Sequence, residues 1–342
     1  MTSEQRKSID AQDQGTDRTV LTSPGLGRKW RYLGLVVVAL VVVVLARALV
    51  RNWLAVESYP WSWTWQGVIL SVFLVQLSYL TWARSWRSIL RAVGIRLHLT
   101  RAYWIFYISN IGRYIPGKVW QVGAVALIGR KLGLSGRDLA ASMIVHLAYF
   151  LPVGVAMSLS SGTLPSPYNT ATFQVAAWTL TVLTACAALF PHAVLSLARP
   201  VATRLGVTPE RWRMALVRRL AVAVQTAFAW LAMSLGFAAL VISVTPLGMD
   251  RIPGLARAFI LSHIVGYVAL FAPGGLGVRE GTLALLLQPM VGLGPATAIA
   301  LVSRAWATLN EALSLVIALG LANRDRGAEP AGLDPVDGRG NA

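Results

Sequence analysis

A chain of 342 residues that is 56% apolar and only 13% charged, with a mean hydropathy of +0.59, excludes a water-soluble fold. Its 31 Lys and Arg against 14 Asp and Glu give a net charge of +17, but the basic residues fall in short segments between apolar runs. That pattern excludes a nucleic-acid face and records the orientation of a polytopic membrane protein. Cys186 is the one cysteine, so an internal disulfide or a thiolate metal site is not available; it reads as a small buried apolar residue.

Residues 1–31 are polar, carry both charge signs and read as a disordered cytoplasmic tail. The apolar run from Tyr32 to Val50 is long enough for an uncleaved first crossing of a ~30 Å hydrocarbon core, with Arg47 reaching outward. Further full crossings are predicted at Gln66 to Ala83, Leu139 to Ser160, Gln174 to Phe190, Leu220 to Val244 and Ala296 to Leu319. Two other apolar regions, Ala102 to Gly129 and Arg257 to Gln288, are broken in their middles by Pro, Gly and charge, so neither reads as one helix. Residues 321–342 read as a second disordered cytoplasmic tail.

The loops alternate in charge. Arg84, Arg87, Arg91, Arg96 and Arg101 follow the second crossing; Arg130, Lys131 and Arg137 precede the third; Arg199, Arg204, Arg211, Arg213, Arg218 and Arg219 separate the fourth from the fifth. These sides are assigned to the cytoplasm. The opposite segments are poor in basic residues, and Tyr59, Trp61, Trp63 and Trp65 read there as an interfacial aromatic belt, a role extended to Trp82, Trp86 and Trp120. Each broken region then has the same side on both flanks, cytoplasm for the first and exterior for the second, and must enter and return. The expected fold is an all-α polytopic membrane protein with six full transmembrane helices and two re-entrant broken-helix regions. The halves, 32–160 and 174–319 within one membrane domain of 32–320, form an inverted-topology repeat with both termini in the cytoplasm.

The first interruption reads NIGRYIPGKVW over residues 110–120 and sets Arg113 and Lys118 around Pro116 and Gly117. The second, APGGLGVREG over 272–281, sets Pro273, Gly274, Gly275 and Gly277 before the Arg279–Glu280 pair. Proline removes a backbone donor and glycine admits close approach, so amides and carbonyls are freed to face a cavity, and a half-helix N-terminus attracts an anion such as phosphate. The glycines do not form a dinucleotide fingerprint, since Glu280 stands where the third glycine is needed and no βαβ pattern surrounds it. Arg304 and Glu311 in the last crossing lie near one helix face. Each ionisable group at bilayer depth costs roughly 2.5 to 3.5 kcal/mol, so Arg113, Lys118, Arg279, Glu280, Arg304 and Glu311 together point to a polar interior.

On these two motifs, in this order, the chain resembles the transmembrane flippase-like region of the lysylphosphatidylglycerol synthases and their stand-alone relatives. The resemblance implies re-entrant helices, movement of an aminoacylated phospholipid or other lipid-linked cargo between leaflets, and functional positions at Arg113, Pro116, Gly117, Lys118, Gly275, Gly277, Arg279 and Glu280. Only a short polar segment follows Leu321, so the soluble aminoacyl-transferase domain of the synthases, and with it synthase activity, is not expected.

Bland readings stand beside these. Arg113 and Lys118 either contact a headgroup phosphate or snorkel from a shallow loop, and Arg279 and Glu280 either bind cargo or pair with each other, Arg304 or Glu311. His146, His263, Asn110 and Asn310 read as hydrogen-bonding groups between helices. The leading expectation is a translocase of the cytoplasmic membrane for a lipid with a phosphate headgroup, with no cofactor, metal or nucleic acid. The alternatives are a non-transporting partner of a separate lipid synthase or glycosyltransferase, and a membrane transferase, for which paired external carboxylates are missing.

Overall fold

The computed structural model describes residues 43, 47, 50–51, 53–114, 120–160, 171–190, 196, 212, 214–269 and 272–327. Among them are ten α-helices and no strand. An apolar chain in lipid must satisfy its backbone within each segment, and the helix does so. The helices are α1 (Trp53–Glu57), α2 (Trp65–Ala92), α3 (Leu99–Ser109), α4 (Trp120–Lys131), α5 (Gly136–Ser160), α6 (Ala171–Leu189), α7 (Leu216–Val244), α8 (Ile252–Val268), α9 (Val278–Val291) and α10 (Leu293–Gly327). Four of them, α2, α5, α7 and α10, are long and apolar enough to cross a membrane, and α6 covers the fourth predicted crossing. The first predicted crossing lies outside the described residues except at Val43, Arg47, Val50 and its immediate end.

The centre of the fold is the pair α2 and α7. Ser85 and Thr226 share a hydrogen bond at 3.2 Å, and Ser88 Oγ donates to Gln225 Oε1 at 3.3 Å. At the other end of the pair, a Cβ on Gly67 would collide with the Ser243 hydroxyl, and one on Gly236 would stand 2.9 Å from the Ser71 carbonyl oxygen. The helices therefore run antiparallel, and small residues let their backbones approach. Buried Ser71, Thr226 and Ser234 return their hydroxyls to carbonyls of their own helix, which makes them tolerable in an apolar interface.

The packing of the two halves repeats. α3 lies against α2 and α10, while α8 lies against α7 and α5; α4 packs on α5 as α9 packs on α10; α6 rests on α5 as α1 rests on α10. Exchanging α1–α5 with α6–α10 thus maps most helix contacts onto themselves. Because the equivalent helices α2 and α7 are antiparallel, the halves are related with inverted sense. Each broken region is a pair of packed helices: α3 runs into a 3-10 turn at Asn110–Tyr114, with residues 115–119 before α4 outside the described residues, and a 3-10 turn at Pro273–Gly275 lies between α8 and α9. The two turns touch each other.

The core is aromatic. Phe150 of α5 lies 4.7 Å from Trp230 and 5.3 Å from Tyr267, ring centre to ring centre, and Trp230 Nε1 donates to the Phe150 carbonyl. These contacts tie α5 to α7 and α8.

Three sequence expectations are corrected here. Trp82 and Trp86 are buried core residues and not interface anchors: Trp86 is fully enclosed and donates through Nε1 to Ser142 Oγ at 2.8 Å. They lie among the arginines of α2 in sequence, but in space α5 and α7 cover them. Trp63 and Trp65 are exposed, as a belt requires, and Trp61 is pinned by donating to the Val56 carbonyl. Cys186 is exposed on the outer face of α6, where a thiol behaves as an apolar group toward lipid. The last helix does not end at the predicted tail boundary but continues to Gly327.

Candidate functional site

The second hairpin builds an ionic cluster from its turn. Gly274, Gly275 and Gly277 have φ of +58°, +70° and +80°, a left-handed region in which a side chain is strained. Gly275 also has no room for one, since a Cβ there would sit 2.8 Å from the Gly266 carbonyl oxygen. Gly266 in turn faces Arg279, whose Cβ would be 2.8 Å from its own. The turn and the first residues of α9 are therefore seated directly on the backbone of α8.

Gly277 caps α9, and Glu280, three residues on, reaches back so that its Oε2 accepts from the Gly277 N–H at 2.6 Å. This is the returning half of a capping box; glycine cannot supply the other half. The second carboxylate oxygen lies 3.5 Å from Arg304 Nη1, and the same nitrogen donates to the Gly274 carbonyl at 3.3 Å. Arg304 thus ties α10 to both sides of the glycine turn. Glu280 is 3% exposed and Arg279 6%.

Arg279 points elsewhere. Its guanidinium carbon stands 5.4 Å from the centre of the Phe259 ring, a cation–π contact inside the protein. Its Nη2 is buried and has no hydrogen-bond partner among the described residues. Glu280, Arg304, Glu311 and Tyr79 all lie close enough to act on its charge. Five of these groups come from three separate elements, α2, α9 and α10, and Phe259 adds α8.

Among the sequence candidates, the structure brings together Gly274, Gly275, Gly277, Arg279, Glu280, Arg304 and Glu311. Pro273 opens the turn. In the first hairpin only the backbone of Arg113 is described, within the turn that touches the second; its side chain, Pro116, Gly117 and Lys118 lie outside the described residues. That turn is closed by Gln121 Nε2 donating to Asn110 Oδ1, and a Cβ on Gly112 would stand 2.7 Å from the backbone of Trp120 and Gln121. Asn310 joins two helices as expected, its Oδ1 accepting from Gln76 Nε2 at 3.1 Å. The His263 ring lies tilted against Phe259, 4.3 Å from ring centre to ring centre, and His146 is enclosed between Phe106 and Phe150.

Phe259, Gly266 and Tyr79 were not singled out from the sequence. Gly266 carries a weak signal, a glycine within a helical apolar run. Phe259 and Tyr79 carry none, because an aromatic residue in such a run reads as core.

No cluster of three or more His, Cys, Asp or Glu suited to a metal ion occurs among the described residues. What the arrangement can do is hold an anion between guanidinium groups and a helix N-terminus, with carboxylates alongside for a cation.

Antiparallel halves of apolar helices, two broken hairpins meeting turn to turn, and ions held inside define a polytopic α-helical integral membrane protein. The model of the lysylphosphatidylglycerol synthase TM region matches residues 31–310, and the chain belongs to that family. No curated protein and no solved structure matches it.

Proposed function

We propose that this protein translocates a phospholipid or lipid-linked headgroup between leaflets of the cytoplasmic membrane. The observation that carries the reading is the set of buried Arg279 and Glu280 with partly buried Arg304 at the second glycine turn, which touches the first. Buried ions in a membrane protein are costly, and a cluster built on a broken helix between two inverted halves has the architecture of a transport site. In this reading Arg279 and Arg304, with Arg113 and Lys118 of the first hairpin, hold the phosphate. Glu280 and Glu311 receive a cationic substituent where the cargo has one. The hairpins enter from opposite membrane surfaces, both termini are cytoplasmic, and rocking of the halves exposes the cluster to each leaflet in turn. A separate synthase makes the cargo.

The test is flipping of leaflet-specific labelled phospholipid by the purified full chain in liposomes. Wild type is expected to equilibrate the label, and Arg279→Ala and Arg113→Ala to slow it at least about tenfold, the loss expected for one charge-assisted contact. Equal rates in all three proteins would remove the assigned site.

A further inference from the structure

The anion position of this cluster is already filled by a side chain of the same protein. Glu280 Oε2 sits on the Gly277 N–H at the start of a 14-residue helix, and its Oε1 faces Arg304. A helix N-terminus converging with a guanidinium is where a phosphate oxygen would bind. Meanwhile the neighbouring Arg279, 6% exposed, keeps Nη2 without a hydrogen-bond partner among the described residues. Glu280 thus has two cationic neighbours, Arg304 within ion-pair distance and Arg279 acting on it electrostatically without a hydrogen bond.

We propose that Glu280 is a resident anion that closes the site and is exchanged for an incoming phosphate group. The phosphate takes the Gly277 amide and Arg304 and keeps Arg279 as a second cationic neighbour, while the displaced carboxylate turns to the unpartnered nitrogen of Arg279. A buried carboxylate without a partner is strongly unfavourable, so the second arginine is what makes the exchange possible. One nitrogen of Arg304, Nη1, serves both Glu280 and the Gly274 carbonyl, so the exchange takes place directly beside the glycine turn. This inference rests on the translocation reading for its purpose but not for its chemistry.

The experiment compares wild type with Glu280→Gln, whose amide oxygen still accepts from Gly277 while the negative charge is gone. Purified full chain in dodecyl maltoside micelles, which contain no phosphate, is titrated calorimetrically with short-chain phosphatidylglycerol and, in a second arm, with inorganic phosphate. Loss of the competing anion is expected to tighten binding about tenfold, the scale of one charge-assisted hydrogen bond. A gain in both arms assigns recognition to the phosphate group alone, and a gain confined to the lipid assigns it to the headgroup and its attachment. Unchanged or weakened affinity in both arms overturns the exchange. Where Glu280→Gln does not fold, Glu280→Ala, which also removes the carboxylate, is read by the same criteria. Tighter binding in a protein that flips no lipid keeps the exchange and removes translocation; flipping by wild type without tighter binding does the reverse.

Discussion

Arg304 meets Glu280 across the boundary between α10 and α9 at 3.5 Å, longer than a good charge-assisted hydrogen bond. The guanidinium is shared with the Gly274 carbonyl, so its position is a compromise between two acceptors on opposite sides of a glycine turn. That nitrogen is a polar link between a long helix and a broken one.

Removing that joint should be costly. Arg304→Gln takes the nearest cation from the enclosed Glu280 carboxylate, leaving it the Gly277 amide and the charge of Arg279, and is expected to destabilise the protein by about 3 kcal/mol. Thermal melting in detergent, read from intrinsic tryptophan fluorescence, checks it. A melting temperature equal to wild type would mean the pair is solvated in practice.

The seating of the second hairpin on α8 makes a steric prediction. Gly266→Ala places a methyl group 2.8 Å from the Arg279 Cβ, and both atoms are close to backbone, so neither can swing away. A loss of about 1 to 3 kcal/mol is expected. Gly275→Ala adds the penalty of a left-handed φ of +70° and should be at least as damaging. Gly281→Ala, in α9 with nothing within 4 Å of its added methyl, should be neutral or stabilising by up to about 1 kcal/mol. The ranking of the three variants in denaturant unfolding is the measurement.

The tryptophans divide into two groups that respond differently. Trp86→Phe empties the space of one ring and leaves Ser142 Oγ without its indole donor, for an expected loss of about 1 to 3 kcal/mol. Trp63→Phe, at an exposed position, should change stability by less than about 0.5 kcal/mol. Comparable effects at both positions would contradict the burial of Trp86.

These residues show what was readable in advance. Helix positions followed from apolar runs, and the ionic cluster followed from the cost of placing Arg279, Glu280 and Arg304 in them, because both are properties of local composition. The pairing within the cluster did not follow. Whether Glu280 meets Arg279 or Arg304 depends on how α10 passes the glycine turn, a tertiary fact that no spacing encodes. The interface role given to Trp82 and Trp86 failed for the same reason, since an aromatic residue in an apolar run does not tell which face of its helix is covered. Phe259 is the clearest case: its contact with Arg279 exists because α8 and α9 fold back on each other at Gly266, and only the folded chain brings the two together.

The inverted relation of the halves predicts membrane sidedness. α4 and α9 are equivalent in the packing, each closing a hairpin, and Lys131 and Gln288 are exposed near their ends. If the α2 and α7 pair stands across the bilayer, the antiparallel relation carries these ends to opposite surfaces. Single cysteines at Lys131 and Gln288, in a background with Cys186→Ala, should be labelled by a membrane-impermeant maleimide from opposite sides of inverted and right-side-out vesicles. The basic residues Arg130 and Arg137 flanking Lys131 place that end in the cytoplasm by the positive-inside rule, so Lys131→Cys is expected to react in inverted vesicles and Gln288→Cys in right-side-out ones. Labelling of both from one side is incompatible with hairpins that enter from opposed surfaces. It would leave the packing symmetry intact while removing the alternating-access reading built on it, because a site reached from a single surface cannot be handed from one leaflet to the other by exchanging the roles of the two halves.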